Sequence, residues 1–148
     1  MIKPRQIEKI GSNIEDLIKD YTLLKKTVLQ KHHLSASAIS IFELLLDETL
    51  TLKNLTDKSL LDKSTLSRQV NPLVKNGWVI KERRKDKRYT YFTLSEEAAT
   101  LYQNFKKDLN KELYHSLKTW SEEEVQLVYV LLGRLDRSIH YTVNSQEK

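Results

Sequence analysis

The apolar residues of the chain recur mainly at steps of three and four, the spacing of amphipathic helices. One such stripe, from Gln6 to His32, predicts a helix about 40 Å long at the usual rise per residue. The other stripes predict five more helices, over 36–47, 52–59 and 63–76 and after Ser95 and Ser121. The pattern therefore predicts a mainly α protein.

Side chains suited to helix ends stand where the stripes begin and end. Candidate N-caps precede four of the helices, namely Ser35, Thr51, Asp62 and Ser95. Ser121 and Glu124 have the spacing of a capping box, and Gly77 is placed to end the fourth helix in the left-handed conformation. Pro72 lies inside that helix, where it removes the bond to the Arg68 carbonyl and is expected to bend the last two turns.

The period changes after the fourth helix. Trp78–Glu82 and Tyr89–Leu94 are rich in β-branched and aromatic residues and predict two strands, separated by the highly charged residues 83–88. Helix, short helix, turn, helix and charged hairpin is the order of a winged helix-turn-helix. The fold class predicted is therefore mainly α with a small β-hairpin wing.

The 148 residues fit one domain, with the winged helix-turn-helix in residues 35–94. Residues 1–34 and 95–148 hold the long first and last helices. The first stripe is too long for one small protomer to cover, which suggests that part of it contacts a partner chain. We therefore expect residues 1–148 to be a single domain whose terminal helices form a dimer.

Composition excludes several classes of site. The chain has no cysteine, so disulfides, thiolate metal sites and thiol redox sensing are ruled out. It shows neither a secretory signal nor an apolar run of about 18 residues, so a cytoplasmic protein without a membrane partner is expected. No nucleophile with an acid or base partner and no cofactor loop can be assembled, which argues against an enzyme and against a cofactor.

Two adjacent histidines are candidate metal ligands. His32 and His33 point in different directions on a helix, and no cluster of carboxylates accompanies them. A polar helix end is the better interpretation, and no metal site is predicted. His33, near the junction between the first helix and the winged helix-turn-helix, remains a candidate contact for an anionic ligand.

Positive charge is concentrated in the middle of the chain. Residues 53–88 carry eleven Lys or Arg and four Asp or Glu, whereas the whole chain has a net charge of only +5. A compact basic segment between neutral or acidic ones indicates a polyanion site, although a solvated charged face is the simpler alternative.

The exposed side of the fourth helix has the chemistry for reading bases. Hydroxyls and the helix N-terminus bind phosphate, arginine pairs with guanine, and glutamine or asparagine pairs with adenine. The candidate residues are Lys63, Ser64, Thr65, Ser67, Arg68, Gln69 and Asn71. An ordinary solvated helix face would look similar, so this pattern alone leaves both interpretations open.

Two segments resemble the multiple-antibiotic-resistance regulator (MarR) family. The run from Asp62 to Val70, followed by Leu73–Val79, is similar to that family's recognition helix, and Asp86-Lys87-Arg88 followed by Phe92–Ser95 is similar to its wing signature. The similarity in organisation extends from the first helix to the last. It implies a homodimer with intertwined terminal helices, and repression relieved by a small, often aromatic, anion.

The resemblance also implies roles for single residues. Thr65, Ser67, Arg68 and Gln69 would lie at the major groove, and Arg88 would reach the minor groove from the wing. Asp86 would hold Arg88 and the wing tip in shape, because a carboxylate near phosphates is repulsive unless a guanidinium pairs with it. The wing candidates as a set are Arg84, Lys85, Asp86, Lys87 and Arg88.

The leading interpretation is a dimeric regulator of transcription that binds an inverted-repeat operator in double-stranded DNA, and the resemblance implies that it acts as a repressor. The alternative is a basic helical interaction module that binds RNA or an acidic protein surface. The paired helix and wing signatures favour the first.

Overall fold

The computed structural model describes residues 1–146. Six helices and three strands form within that range. In chain order they are α1 (Pro4–Lys31), α2 (Ala36–Leu45), β1 (Leu50–Thr51), α3 (Leu52–Ser59), α4 (Lys63–Lys75), β2 (Val79–Arg83), β3 (Thr90–Leu94), α5 (Glu96–Leu117) and α6 (Glu122–Gln146). The predicted mainly α fold with a small wing is confirmed.

The predicted helix starts are confirmed by hydrogen bonds between cap side chains and the backbone. The Oγ of Ser35 accepts from the N–H of Ala38 at 3.1 Å, and the Thr51 hydroxyl accepts from that of Asn54 at 3.2 Å. Ser95 caps α5 in the same way, and Ser121 and Glu124 bond reciprocally at the start of α6. These bonds satisfy N–H groups that the first helical turn leaves without a partner.

The sheet has a third strand that the sequence pattern did not predict. The strand order is β1-β3-β2, with both pairs antiparallel. Leu50 pairs with Phe92, and Thr51 pairs with Tyr91. A strand of two residues shows no alternation of its own, so only its pairing with β3 reveals it.

Several predicted boundaries move by a few residues. Helix α2 ends at Leu45 instead of 47, because the chain turns through Leu46 in an extended conformation and Asp47 at φ 59°. The fourth helix runs on through Pro72 to Lys75, and Gly77 adopts φ 79° as expected for a left-handed helix end. The wing strands start at Val79 and Thr90, one residue later than predicted.

One apolar core holds α4 and the wing in place. Phe42 and Leu55 are fully buried, as is Leu66 on the inner side of α4. Trp78, immediately before β2, meets Phe42 edge to face with ring centroids 5.8 Å apart. Because buried side chains are closely packed, the exposed side of α4 is presented on a rigid base.

The chain divides into two compact units, Met1–Asn110 and the part from Lys111 onward. The first contains the core just described. In the second, no residue of α6 is buried within the part of the chain that the structure describes, and its apolar stripe, including Leu132 and Ile139, is largely exposed. None of the helices between residues 1 and 146 is long and apolar enough to cross a membrane.

Candidate nucleic-acid interface

The start of α4 is fixed by Asp62. Its Oδ1 accepts the backbone N–H of Thr65 at 2.7 Å and the Ser64 hydroxyl at 2.8 Å. The backbone bond from Thr65 is the largest of the effects that lower the pKa of Asp62 to about 2. The charged cap therefore persists at neutral pH and sets the direction of the first turn.

The predicted contact residues of α4 lie on its outer side. Leu66, Val70 and Leu73 face the core on the opposite side. Lys63, Ser64, Arg68 and Asn71 are exposed, whereas Thr65, Ser67 and Gln69 are half-buried. The helix thus presents hydroxyl, guanidinium and amide groups together, the set of donors and acceptors that can read base edges.

Gln69 stands apart from the other candidates on α4. It lines a groove of about 510 Å³ towards α2, together with Ser40, Glu43 and Leu61. Lys63, in contrast, lines a cleft on the wing side of the helix. The structure therefore brings Lys63 towards the wing and places Gln69 on the flank that faces α2.

The wing, defined here as β2, β3 and the turn between them, is shaped by a ring between Asp86 and Arg88. The backbone N–H and Nε of Arg88 donate to Oδ1 of Asp86 at 3.1 and 3.0 Å, and Nη2 donates to Oδ2 at 2.9 Å. The side-chain bonds, followed by the backbone bond, lower the pKa of Asp86. Arg88 nevertheless keeps 80% of its side chain exposed, so its outer edge is available to a ligand.

Arg84 contacts both a carboxylate and an aromatic ring of the wing. Its Nε and Nη2 donate to Oε1 of Glu82 at 3.2 and 3.1 Å, and its guanidinium lies 5.1 Å from the centre of the Tyr91 ring. Lys85 and Lys87 are exposed and have no hydrogen-bond or ion-pair partner among residues 1–146. The five wing candidates are therefore not equivalent.

A basic cleft joins α3, the start of α4 and the wing. It has a volume of about 470 Å³ and is lined by the cations Lys53, Lys63, Lys81 and Arg88, with Asp57 as its one carboxylate within the described residues. Lys53 and Lys81 are not among the contact residues predicted from the sequence. The signal was present, since both lie within the basic segment 53–88, but their convergence depends on the fold.

His32 is engaged in a contact within the protein. Its Nε2 lies 2.7 Å from Oδ2 of Asp108, and its ring meets Phe105 edge to face. Across residues 1–146 there is no group of three or more His, Cys, Asp or Glu side chains that could hold a metal ion. His32 therefore connects the end of α1 to α5.

Fold and site together define a winged helix-turn-helix protein with a basic, hydrogen-bonding face. The sequence model of a protein family described as transcriptional regulator SarA/Rot matches residues 23–105, more than half of the chain. The chain belongs to that family and is a DNA-binding transcriptional regulator. A search of curated proteins gave no match.

Solved structures agree on the fold. A MarR family protein from Bacillus stearothermophilus has a TM-score of 0.86 and 18% identity, over 95% of this chain and 99% of that one. A mutant MarR from E. coli complexed with operator DNA has a TM-score of 0.64 and 21% identity, over 91% and 99% of the two chains. NadR in complex with 4-hydroxyphenylacetate has a TM-score of 0.61 and 18% identity, over 85% and 91%. The resemblance to MarR-type regulators is confirmed.

Proposed function

We propose that the protein is a homodimeric repressor that places α4 in the major groove and the wing against the minor groove of an inverted-repeat operator. The observation that carries this proposal is the exposed face of α4 beside a cleft of four cations. A duplex carries a dense row of phosphates, and cations along a groove-sized surface bind it by releasing counterions. Such a regulator acts in the cytoplasm, where it reaches the chromosome.

Each part of the face has its own role. Arg68 and Asn71 point outward from α4 and suit base edges, while Lys63 and the half-buried Thr65 lie at the first turn and suit phosphate. Ser67 and Gln69 lie on the flanks and contribute polar contacts at the groove edges. Lys85 and Lys87 contact phosphates, and Arg88 enters the minor groove held by Asp86.

Exposed apolar stripes on the terminal helices support the dimer. Ile7, Leu17 and Ile18 of α1 are each about half exposed, and so are Leu131 and Leu132 of α6. Burial of apolar stripes of this length is favourable, and a second copy of the chain carries the same stripes. A dimer with two-fold symmetry can therefore bury the stripes of both copies. A dimer also presents two copies of α4, as an inverted repeat requires.

A pocket between the end of α1 and the start of α2 suits a small aromatic anion as effector. It has a volume of about 450 Å³, with Leu29 and Leu34 as apolar lining and Lys25 and Lys26 as cations. NadR, of the same fold, is bound to 4-hydroxyphenylacetate in its solved structure. Such a ligand releases DNA only if it binds more tightly to the arrangement that cannot bind DNA.

A gel-shift experiment tests the proposed function. The full chain is titrated against a duplex with an inverted repeat, a scrambled duplex of the same composition, and a single-stranded RNA, all at moderate salt. A regulator shifts the inverted repeat at the lowest protein concentration. Equal or stronger binding to RNA, or no specific shift, supports the alternative interaction module instead.

The effector is tested on the same complex. Salicylate and 4-hydroxyphenylacetate are titrated against the bound duplex, with benzyl alcohol as an uncharged aromatic control. Release by the anions alone, reduced in Lys26→Gln, supports the pocket between α1 and α2. Unchanged DNA affinity at saturating ligand excludes this class of effector.

A further inference from the structure

Arg84 lies on the face of the wing that is turned away from the basic cleft. Paired residues on neighbouring strands project to the same side, so Val79, Lys81 and Phe92 share one face of the sheet, and Glu82 and Tyr91 share the other. Val79 and Phe92 are buried and Lys81 lines the basic cleft. The opposite face therefore carries Glu82 and Tyr91 away from that cleft.

Arg84 reaches back onto this opposite face. Two of its N–H groups donate to one oxygen of Glu82, at 3.2 and 3.1 Å, while its guanidinium covers the ring of Tyr91. Glu82 and Tyr91 are directly paired across β2 and β3, so Arg84 contacts both strands at once. A guanidinium has a flat face that stacks on aromatic rings and an edge of N–H groups that pairs with carboxylates. In Arg84 both the face and the edge are engaged.

We propose that Arg84 is a positioning residue, which with Glu82 and Tyr91 braces the wing so that Arg88, Lys85 and Lys87 are held ready for DNA. This inference rests on the proposed DNA-binding function and narrows the role expected for Arg84 from its sequence. Arg84, Glu82 and Tyr91 together form the wing brace.

The physical reason lies in the short length of the wing. β1 pairs with β3 only at Tyr91 and Phe92, so the tip of the wing has two strands, and β2 lies at the edge of the sheet within residues 1–146. Repulsion among Arg83, Lys85 and Lys87 opposes an ordered tip. A cross-strand contact near the tip reduces the conformational freedom that DNA binding would otherwise have to remove.

The direction in which a change at Glu82 alters DNA affinity tests the wing brace. Glu82 carries a negative charge on a surface that approaches DNA, so simple repulsion predicts that Glu82→Gln tightens binding. The wing brace predicts the reverse, because Gln loses the ionic pairing that holds Arg84. Asp57→Asn is the matched control, since Asp57 lines the basic cleft and has no part in the brace.

The experiment measures DNA affinity by fluorescence anisotropy over a range of salt concentrations, for the full chain and five variants. Glu82→Gln and Tyr91→Leu are each expected to weaken binding about three- to tenfold with little change in salt slope, since neither removes a cation. Tyr91→Phe keeps the ring and is expected to stay within about twofold of the parent. Asp57→Asn is expected to bind more tightly, and Lys87→Gln to reduce the salt slope by about 1.

A double-mutant cycle completes the test. If Arg84→Gln and Tyr91→Leu act through one brace, the double variant binds scarcely more weakly than either single variant. Additive losses, or a slope reduced by about 1 in Arg84→Gln alone, make Arg84 a phosphate contact and overturn the proposal. Tighter binding by Glu82→Gln also overturns it. Failure of the parent chain to bind DNA specifically refutes the proposed function itself, so the two failures are distinguishable.

Discussion

The carboxylate of Asp86 accepts three hydrogen bonds from Arg88, one from its backbone N–H and two from its guanidinium. Residues two apart thus close a ring at the tip of the wing. The ring fixes both the turn and the direction of the arginine, while 80% of the Arg88 side chain stays exposed. A negative charge is in this way built into a surface that we propose contacts DNA.

Replacing Asp86 with alanine is expected to weaken DNA binding about three- to tenfold, even though a charge that phosphates repel is removed. The reason is that Arg88 loses the partner that orients it. Asp86→Asn keeps an acceptor for the backbone N–H and is expected to lie between parent and alanine variant. Affinity measured on one duplex at fixed salt checks this, and tighter binding by Asp86→Ala would show that charge repulsion dominates.

Asp62 makes the stability of the lobe depend on pH in acid. Its pKa is lowered to about 2 from the ordinary value of 3.8 for an aspartate, so its capping bonds contribute fully above about pH 4 and are lost as the pH falls towards 2. Thermal unfolding followed by circular dichroism between pH 2 and 6 is the measurement. Asp62→Asn keeps a good N-cap without the charge and is expected to flatten this part of the profile. An equally steep profile in that variant would assign the acid sensitivity to other groups.

Substitutions at Leu60 and Gly77 test the cost of a left-handed backbone conformation in opposite directions. Both have positive φ, 59° and 79°, and Leu60 is 91% exposed, so its side chain gains little from burial. Leu60→Gly is expected to stabilise the fold by about 0.5–1 kcal/mol, and Gly77→Ala to destabilise it by about 1–2 kcal/mol. No atom lies within 4 Å of an added Cβ at Gly77, so sterics with neighbours do not contribute. Urea unfolding of the two variants gives both values, and the same sign for both would contradict the account.

The proposed dimer depends on the stripe of α6. Leu132 is 47% exposed in the single chain, and Leu132→Asp is expected to raise the dimer dissociation constant at least about tenfold by placing a charge in an apolar interface. Gln126→Asp, outside the apolar stripe of α6, is the control and should leave the dimer intact. Sedimentation of the parent chain and both variants at micromolar concentration measures dimer formation. A folded monomer of the parent chain would contradict the proposed dimer.

The features predicted correctly from sequence are those set by near neighbours in the chain. The caps at Ser35, Thr51 and Asp62 bond to backbone three residues ahead, so a short motif contains all the information. The helix stripes predict the buried side of α4 for the same reason, since Leu66 and Val70 are one turn apart.

The features missed are those that depend on distant pairing. β1 exists because Leu50 meets Phe92, and the basic cleft exists because Lys53 and Lys81 come together across three elements. The sequence predicts that Arg84 contacts DNA together with the other wing residues, and this stays a prediction. The contact of Arg84 with Tyr91 requires the register of β2 and β3, which no local pattern specifies.

Selection from a pool of randomised duplexes tests the central claim most directly. The parent chain is predicted to enrich inverted repeats with half-site centres about one helical turn apart or a small multiple of it. Arg68→Ala is predicted to lose about 1–3 kcal/mol on the selected site and to relax preference at one base position in each half-site. Enrichment of no sequence, or an equal loss by Arg68→Ala on selected and random duplexes, would contradict the proposal that α4 reads the major groove.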